Sequence, residues 1–227
     1  MNLGVVFARG GSKGVPRKNL RLVGEFSLTA HAVRALCATS GIDVVAVSSD
    51  DDEILEEGRR HGASDLIRRP RDLCTDSAPE LLSWKHAIAT IEETHGVLLD
   101  TFVSVPPTSP LRAVADIEGC MTMLKKKDAD ICVTLSPAAR SPWFNMMRED
   151  DEGFLRTVIE DRTITRRQDA PACFDLTTVA YAANRNYVLS TGSVLAGRVC
   201  GFEVPFPRSI DIDTEDDLIL ANLLVNR

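Results

Sequence analysis

The start of the chain limits its possible folds more than any other feature: an apolar run over residues 3–7 leads directly into a basic, glycine-rich loop over residues 8–19. The run has the length and composition of a buried strand, so the loop is predicted to leave the end of a strand. The adjacent Gly10 and Gly11 allow backbone N–H groups to converge on an anion. The cations of this loop are Arg9, Lys13, Arg17 and Lys18. We therefore predict a cradle for a polyphosphate; the alternative is a solvated basic turn.

Beyond the loop, short apolar segments alternate with segments of helical periodicity. The predicted strands cover residues 43–48, 101–105 and 130–135, and the predicted helices cover residues 28–38, 50–62, 77–94 and 115–126. Ser27 stands where the cap of the first helix is expected. The alternation predicts an α/β fold, with a mostly parallel sheet and helices on both faces. Ligands of such sheets bind at the carboxyl ends of strands, where the loop after residue 7 lies.

The alternation stops after Ser136. Residues 137–175 instead contain prolines, paired acids and a basic turn. We interpret this stretch as an arm inserted into a single domain of residues 1–227, with the chain re-entering the sheet near residues 179–181. The apolar members of the arm are Trp143, Phe144, Met146, Met147 and Phe154. On an exposed arm they suit a contact between subunits, and the alternative is a long loop packed on its own core.

A second chemical site is predicted within residues 209–218, where Asp211 and Asp213 alternate with Ile210 and Ile212. Side chains two residues apart on a strand share a face, so the two carboxylates are predicted to point the same way. Carboxylates placed together suit Mg²⁺, which binds through one or two carboxylates and the phosphates of a substrate. The alternative is that the acids of this segment only favour the start of the following helix.

Three prolines make residues 105–112 a rigid loop directly after a predicted strand. Arg112, at the end of this loop, could hold the loop in place or meet an anion. On chemistry alone the structural role is the favoured interpretation.

Composition narrows the class of partner. The chain has 227 residues, is 44% hydrophobic and carries 26 Lys+Arg against 33 Asp+Glu, a net charge of −7. This acidic balance argues against nonspecific nucleic-acid binding. The sequence contains no apolar run near the roughly 20 residues of a spanning helix, and no secretory leader is recognisable. We expect a cytoplasmic protein with neither a nucleic-acid nor a membrane partner.

The motifs above occur together, and in order, in one family. The chain resembles the acylneuraminate cytidylyltransferases, also called CMP-sialic acid synthetases, over nearly all of its length. The likeness rests on the opening loop, Arg69-Pro70 with Leu73 and Asp76 downstream, Thr-Ser-Pro-Leu-Arg at 108–112, Arg-Arg-Gln-Asp at 166–169 and Ile-Asp-Ile-Asp at 210–213. It implies a nucleotide-diphospho-sugar-transferase-like, Rossmann-like fold. It also implies a Mg²⁺-dependent reaction of CTP with a nonulosonic acid, giving a CMP-sugar and pyrophosphate, in a homodimer whose inserted arm reaches over the partner's active site.

The resemblance also implies residue roles. Arg9, Lys18 and Asp211 would be catalytic, and Asp211 with Asp213 would bind the metal. The loop residues and Arg69 would hold CTP, whereas Arg167 and Tyr181 would line the sugar pocket. The full set of substrate-binding candidates is Gly10, Gly11, Ser12, Lys13, Asn19, Arg69, Glu80, Pro106, Arg167 and Tyr181.

Two of these candidates depart from the family pattern. Pro106 stands where the family often has a glutamine that touches the sugar, and Glu80 stands where a small hydroxyl residue is expected beside the cytidine. The motifs therefore specify the reaction more closely than they specify the acceptor acid. The alternatives are transfer of a nucleotide to another ulosonate or to a sugar phosphate, and a non-catalytic nucleotide-binding regulator on the same fold.

Overall fold

The computed structural model describes residues 1–12, 14–75, 77–161 and 163–225. The strands of these ranges are β1 Asn2–Phe7, β2 Leu22–Val23, β3 Phe26–Ser27, β4 Val44–Ser49, β5 Asp65–Arg68, β6 Thr101–Ser104, β7 Ile131–Pro137, β8 Met147–Glu149, β9 Leu155–Thr157, β10 Phe174–Asn184 and β11 Val199–Glu203. The α-helices are α1 Leu28–Cys37, α2 Asp52–Arg60, α3 Glu80–His95, α4 Val114–Lys126, α5 Arg185–Ser190 and α6 Glu215–Val225. Within the described part of the chain, every helix is too short or too polar to cross a bilayer.

One seven-stranded sheet, in the order β11-β7-β10-β6-β1-β4-β5, forms the centre of the molecule. β1 pairs in parallel with β4 and β6, β4 with β5, and β7 with β11. β10 is antiparallel to both β6 and β7. The predicted mostly parallel sheet is therefore confirmed. The chain passes from β1 to β4 on one side and returns to β6 on the other, which creates a topological switch point beside β1.

Side chains alternate across the sheet, so each face carries its own core. On one face, Val6 of β1 packs with buried residues of α1, α2 and α4. On the other face, Leu3 and Val5 pack with α3 and α5. Trp84 of α3 is fully buried there, with its ring 5.0 Å from that of Phe102. Helices thus cover both faces, as predicted, and they hold the strand ends that carry the site.

Two helix starts set the walls of the site. Ser27 accepts a hydrogen bond from the backbone N–H of Ala30, which confirms the predicted cap of α1. The third helix begins at Glu80, later than the predicted residue 77. Pro79 accounts for the difference, because a proline disfavours helical backbone at the residue before it. Glu80 consequently lies in the first turn of α3.

The predicted insertion leaves the sheet between β7 and β10. These strands pair out to Pro137 and Phe174, and the arm between them contains the hairpin of β8 and β9 and a short 3₁₀ helix at Arg167–Asp169. The exposed apolar side chains of the arm are Phe144, Met146, Met147, Phe154, Leu155, Val158 and Ile159. Trp143 is half-buried. The arm therefore presents apolar surface that the rest of the protomer does not cover.

The segment before α6 differs from the prediction. Residues 209–213 form an irregular stretch instead of a strand. Ile210 and Ile212 are buried in a small cluster with Val23 and Leu28, and the Ile212 N–H donates to the Thr108 carbonyl at 2.8 Å. The alternating apolar residues thus reflect anchoring to a loop and a cluster, which a sequence pattern cannot tell from pairing with a strand.

Candidate active site

A cleft of about 470 Å³ lies at the switch point, beyond the carboxyl ends of β1 and β6. Predicted site residues that line it are Arg9, Gly11, Ser12, Lys18, Asn19, Arg69, Glu80, Pro106 and Asp213. Gly10, Arg167, Tyr181 and Asp211 are not among its lining residues. Lys13 and Asp76 lie outside the described residues. The structure thus brings together most residues expected on the nucleotide side, and it separates those expected on the sugar side.

The loop after β1 is fixed by acidic residues at the start of α2. The Gly10 N–H donates to Asp50 Oδ1 at 2.9 Å. A side chain at this position would lie 2.8 Å from Asp51 Oδ2, so only glycine permits the close approach. This corrects the predicted convergence of both glycine N–H groups on a ligand, because that of Gly10 is used within the protein. Gly11, in contrast, borders the open cleft.

Polar side chains brace the loop from inside. The Ser12 hydroxyl accepts the Lys18 N–H at 3.1 Å and donates to the Val15 carbonyl. Asn19 is buried, and its Nδ2 donates to the Arg9 carbonyl at 2.9 Å. These contacts hold Ser12, Lys18 and Asn19 in place within the protein alone, and such preorganisation favours electrostatic stabilisation of a reacting phosphate.

The loop cations do not all face the cleft. Arg17 turns away and donates to Glu53 at 2.6 Å, which corrects its predicted place in the cradle. Arg9 and Lys18 line the cleft, and Arg69 joins them from the segment after β5. Arg69 is buried against the Phe7 ring, 5.5 Å from its centroid, and donates to the Ser48 carbonyl at 2.5 Å. Its burial lowers the pKa of its guanidinium.

Lys18 joins the loop to the acidic segment. Its ammonium donates to the Ile212 carbonyl at 2.6 Å and to Asp213 Oδ1 at 2.9 Å. Gly14 lies against the same segment, since a Cβ there would be only 2.2 Å from the Asp213 carbonyl oxygen. The Asp213 side chain is 72% exposed, so its carboxylate remains accessible from the cleft. Two motifs that are almost the whole chain apart in sequence thus form one wall of the site.

Arg112 confirms the structural interpretation of its loop. It is buried, its Nε donates to the Val179 carbonyl at 2.9 Å, and its Nη2 donates to the carbonyls of Pro106 and Thr178. Complete burial lowers the pKa of its guanidinium, and the carboxylates of Asp116 and Asp211 oppose that shift. Arg112 therefore helps to pin the loop after β6 to β10.

The two aspartates of the acidic segment fit a divalent cation. Asp213 already pairs with the ammonium of Lys18, so a positive charge is stable at its carboxylate. Asp211 Oδ1 is enclosed and has no hydrogen-bond partner among the described residues. Such an oxygen is costly to bury, and a cation would relieve the cost. The described part of the chain contains no cluster of three potential metal ligands.

Glu80 and Arg69 place opposite charges on the far wall of the cleft. The Glu80 carboxylate accepts the Trp84 Nε1–H at 3.2 Å. Glu80 keeps access to solvent through the cleft, yet the atoms around its carboxyl withdraw that group from water and raise its pKa; the Trp84 hydrogen bond and Arg69 act against the rise. A carboxyl that titrates closer to neutrality can both donate and accept hydrogen bonds there.

Two predicted sugar-side residues lie outside the cleft of this protomer. Tyr181 is 8% exposed and packs against Trp84, with ring centroids 5.8 Å apart. Burial, with the charges of Glu80 and Asp211, raises the pKa of its hydroxyl. Arg167 is exposed on the arm, where its Nη2 donates to the Ala139 carbonyl at 3.2 Å. Their predicted contacts with a sugar remain predictions.

Sequence reasoning missed part of the cleft lining. Phe7, Cys74, Thr75, Ala78, Ser83, Pro107 and Thr108 also border the cleft. Several follow β5, a four-residue strand that was too short to stand out as a pattern. Recognising that strand would have pointed to them, because the carboxyl ends of parallel strands share one edge of the sheet.

The fold and cleft together define the nucleotidyltransferase class of α/β enzymes. The chain superposes on CMP:2-keto-3-deoxy-manno-octonic acid synthetase, solved with CTP, with a TM-score of 0.70 over 99% of this chain and 98% of that one. At 15% identity this likeness establishes the fold. The chain belongs to the cytidylyltransferase family, whose model matches residues 3–149.

Curated relatives extend the likeness over the whole chain. CMP-N,N'-diacetyllegionaminic acid synthase of Campylobacter jejuni is 27% identical over 221 residues, which are 97% of this chain and 93% of that protein. N-acylneuraminate cytidylyltransferase of Streptococcus agalactiae is 27% identical over 95% of this chain, but the match covers 51% of that longer protein. The resemblance seen in the sequence motifs is thereby confirmed.

Proposed function

We infer that the protein couples CTP to a nonulosonic acid, releasing pyrophosphate and a CMP-sugar. The observation that carries this function is the cleft at the switch point, where Arg9, Lys18 and Arg69 of a cytidylyltransferase fold face one space. The cations suit the triphosphate of CTP. The relatives supply the class of acceptor, since one is named for legionaminic acid and another for N-acylneuraminate.

The chemistry needs positioning and charge neutralisation more than a covalent intermediate. A hydroxyl of the acceptor attacks the α-phosphorus of CTP while pyrophosphate leaves. Arg9 and Lys18 would stabilise the negative charge that moves onto the leaving phosphates. A preorganised donor of this kind is typically worth about 3 kcal/mol, or roughly 10²-fold in rate.

Mg²⁺ is the cofactor that the acidic segment suits. Asp211 and Asp213 would hold it together with the phosphates of CTP. When bound, the ion would lower the pKa of the attacking hydroxyl and neutralise phosphate charge. Lys18 pairs with Asp213 in the protein alone, and it would lie beside both the ion and the phosphates of CTP.

The acceptor would lie beside Pro106, beyond the triphosphate. A proline offers no side-chain hydrogen bond, so recognition of the sugar has to come from other groups. Arg167 is the candidate for the acceptor carboxylate, because a guanidinium pairs with a carboxylate through two parallel hydrogen bonds. In one protomer it lies on the arm and away from the cleft, so it would act across a subunit boundary.

A homodimer joined through the arm would meet this requirement. The exposed apolar side chains of the arm favour burial against a partner, and a twofold dimer is the commonest way to bury such a surface. In that assembly each arm would close the sugar pocket of the other subunit. The protein would act as a cytoplasmic enzyme of nucleotide-sugar synthesis.

Pyrophosphate release tests the function. CTP, GTP, UTP and ATP are each offered with a panel of eight- and nine-carbon 2-keto-3-deoxy acids, with Asp213→Asn as the inactive control. Turnover that requires CTP and one of these acids is the expected result. Turnover with sugar phosphates alone, or binding of CTP without turnover with any acid, would contradict the proposal.

A further inference from the structure

Arg112 carries a buried positive charge that bracing a loop does not fully explain. Its guanidinium is anchored on one side by carbonyl groups of Pro106, Thr178 and Val179. An apolar side chain could fill the same space without the cost of burying a charge. A charge in this place therefore calls for a partner of opposite sign.

Asp116 and Asp211 are the carboxylates that act electrostatically on Arg112. Asp116 is satisfied by other groups, because Arg208 donates to both of its oxygens at 2.9 Å and the Ala113 N–H donates at 2.8 Å. Asp211 has no comparable support. Its Oδ1 is enclosed without a hydrogen-bond partner among the described residues, and the same holds for Nη1 of Arg112. The two unpartnered groups carry opposite charges in the same region.

We propose that Arg112 is the positioning residue of Asp211, holding this carboxylate, two residues before the cleft-lining Asp213, for the divalent cation. The carbonyl contacts fix the guanidinium relative to β10 and to the loop that lines the cleft. The charge of the guanidinium in turn stabilises the enclosed carboxylate, leaving Asp211 free of direct hydrogen bonds that would compete with a cation. The inference rests on the metal role of Asp211 in the proposed function.

A role limited to bracing the loop predicts different behaviour. In that case, replacing Arg112 would destabilise the fold, but its effect would be independent of residue 211. A positioning role instead couples the two residues, because each loses its partner when the other is replaced. It also makes metal affinity depend on Arg112, as it does on residues that orient ligands in other metal sites.

The first experiment measures coupling in the absence of metal and substrate. Arg112→Met, Asp211→Asn and the double variant are unfolded in urea, and their unfolding equilibrium constants form a double-mutant cycle. We expect a coupling of at least about fivefold; a smaller value would overturn the pairing. If Arg112→Met does not fold, Arg112→Gln, which removes the charge but keeps hydrogen-bond donors, takes its place in the cycle.

The second experiment measures Mn²⁺ binding by electron paramagnetic resonance with CTP present, alongside CTP binding without metal. Arg112→Lys should weaken Mn²⁺ binding by about 10-fold and leave metal-free CTP binding within about threefold. Arg208→Lys is the matched control: it alters a half-exposed arginine that pairs with Asp116 and should not change Mn²⁺ affinity. Equal Mn²⁺ affinity in Arg112→Lys and the wild type would overturn the proposal. Unchanged Mn²⁺ affinity in Asp211→Asn would instead contradict the metal role of Asp211 in the proposed function. The double-mutant cycle would still test whether Arg112 and Asp211 interact.

Discussion

Replacing Gly14 by alanine is the sharpest test of how the loop after β1 meets the acidic segment. The new Cβ would stand 2.2 Å from the Asp213 carbonyl oxygen, well inside the roughly 3.5 Å of an ordinary contact. The backbone fixes the positions of both the alanine Cβ and the carbonyl oxygen, so no side-chain rotation can relieve the clash. One of the two segments must move by roughly 1 Å. Overpacking of this kind typically costs about 1–3 kcal/mol. For a protein of this size that is a fall in Tm of about 2–12 °C.

Activity should fall more than stability. The displaced segment carries Asp213 and its contact with Lys18, and a misplacement of about 1 Å in a catalytic arrangement can cost roughly 10²-fold. Gly192→Ala is the control, because a Cβ there meets no atom within 4 Å and Gly192 lies outside the cleft lining. Thermal unfolding and pyrophosphate release are measured on both variants. If Gly14→Ala keeps the Tm of Gly192→Ala and a kcat/KM within threefold of it, the inferred contact between loop and segment is wrong.

The other predictions concern single charges and the arm. Arg9→Ala and Lys18→Ala should each lower kcat/KM for CTP by about 10²-fold, and losses below about threefold would mean that the loop is only a basic turn. Arg167→Lys should raise KM for the acid far more than KM for CTP, since lysine cannot form the two parallel hydrogen bonds; equal changes in both would remove Arg167 from the sugar site. Deletion of residues 140–165 should give monomers that bind CTP without turnover, and a wild-type protein that is monomeric and fully active by light scattering at assay concentration would refute the shared site. Because the pKa of Glu80 is raised in the folded protein, Glu80 contributes to stability at low pH, and this contribution is lost as the pH rises through that pKa. The Tm of Glu80→Gln minus the Tm of the wild type should therefore increase between pH 4 and 7. A difference that stays constant with pH would show that the Glu80 carboxyl is not withdrawn from water.

The alternation of strands and helices was predictable because burial on both faces of a parallel sheet leaves a strong local signal. The valine-rich run of β1 and the Ser27 cap each follow from a few neighbouring residues, and both are confirmed. β5 was missed because four residues with one buried side chain carry too little pattern. The direction of β10, antiparallel to its neighbours, depends on the route of the inserted arm, which no local pattern encodes.

The site was predictable in its residue types, but less so in their orientation. The glycine-rich loop was recognised as basic, yet Arg17 turns toward Glu53, and the Gly10 N–H is taken by Asp50. The two residues of each contact are about 35 to 40 positions apart in the sequence. Contacts of this range depend on how α2 packs beside β1, and that arrangement appears only when the fold is complete.

The contact between Lys18 and Asp213 spans 195 positions, and it sets the order in which the molecule can become functional. During synthesis, β1, β4, β5 and β6 emerge and can pair before the wall that holds Asp213, which follows Lys18 by 195 positions. Contacts between distant segments are also slow to form, because the intervening chain must be ordered first. Val23 and Leu28 remain without their apolar partners Ile210 and Ile212 until that moment. The cleft is therefore complete only once that segment has docked, so a chain that has not reached this step can have its sheet but lacks its complete site.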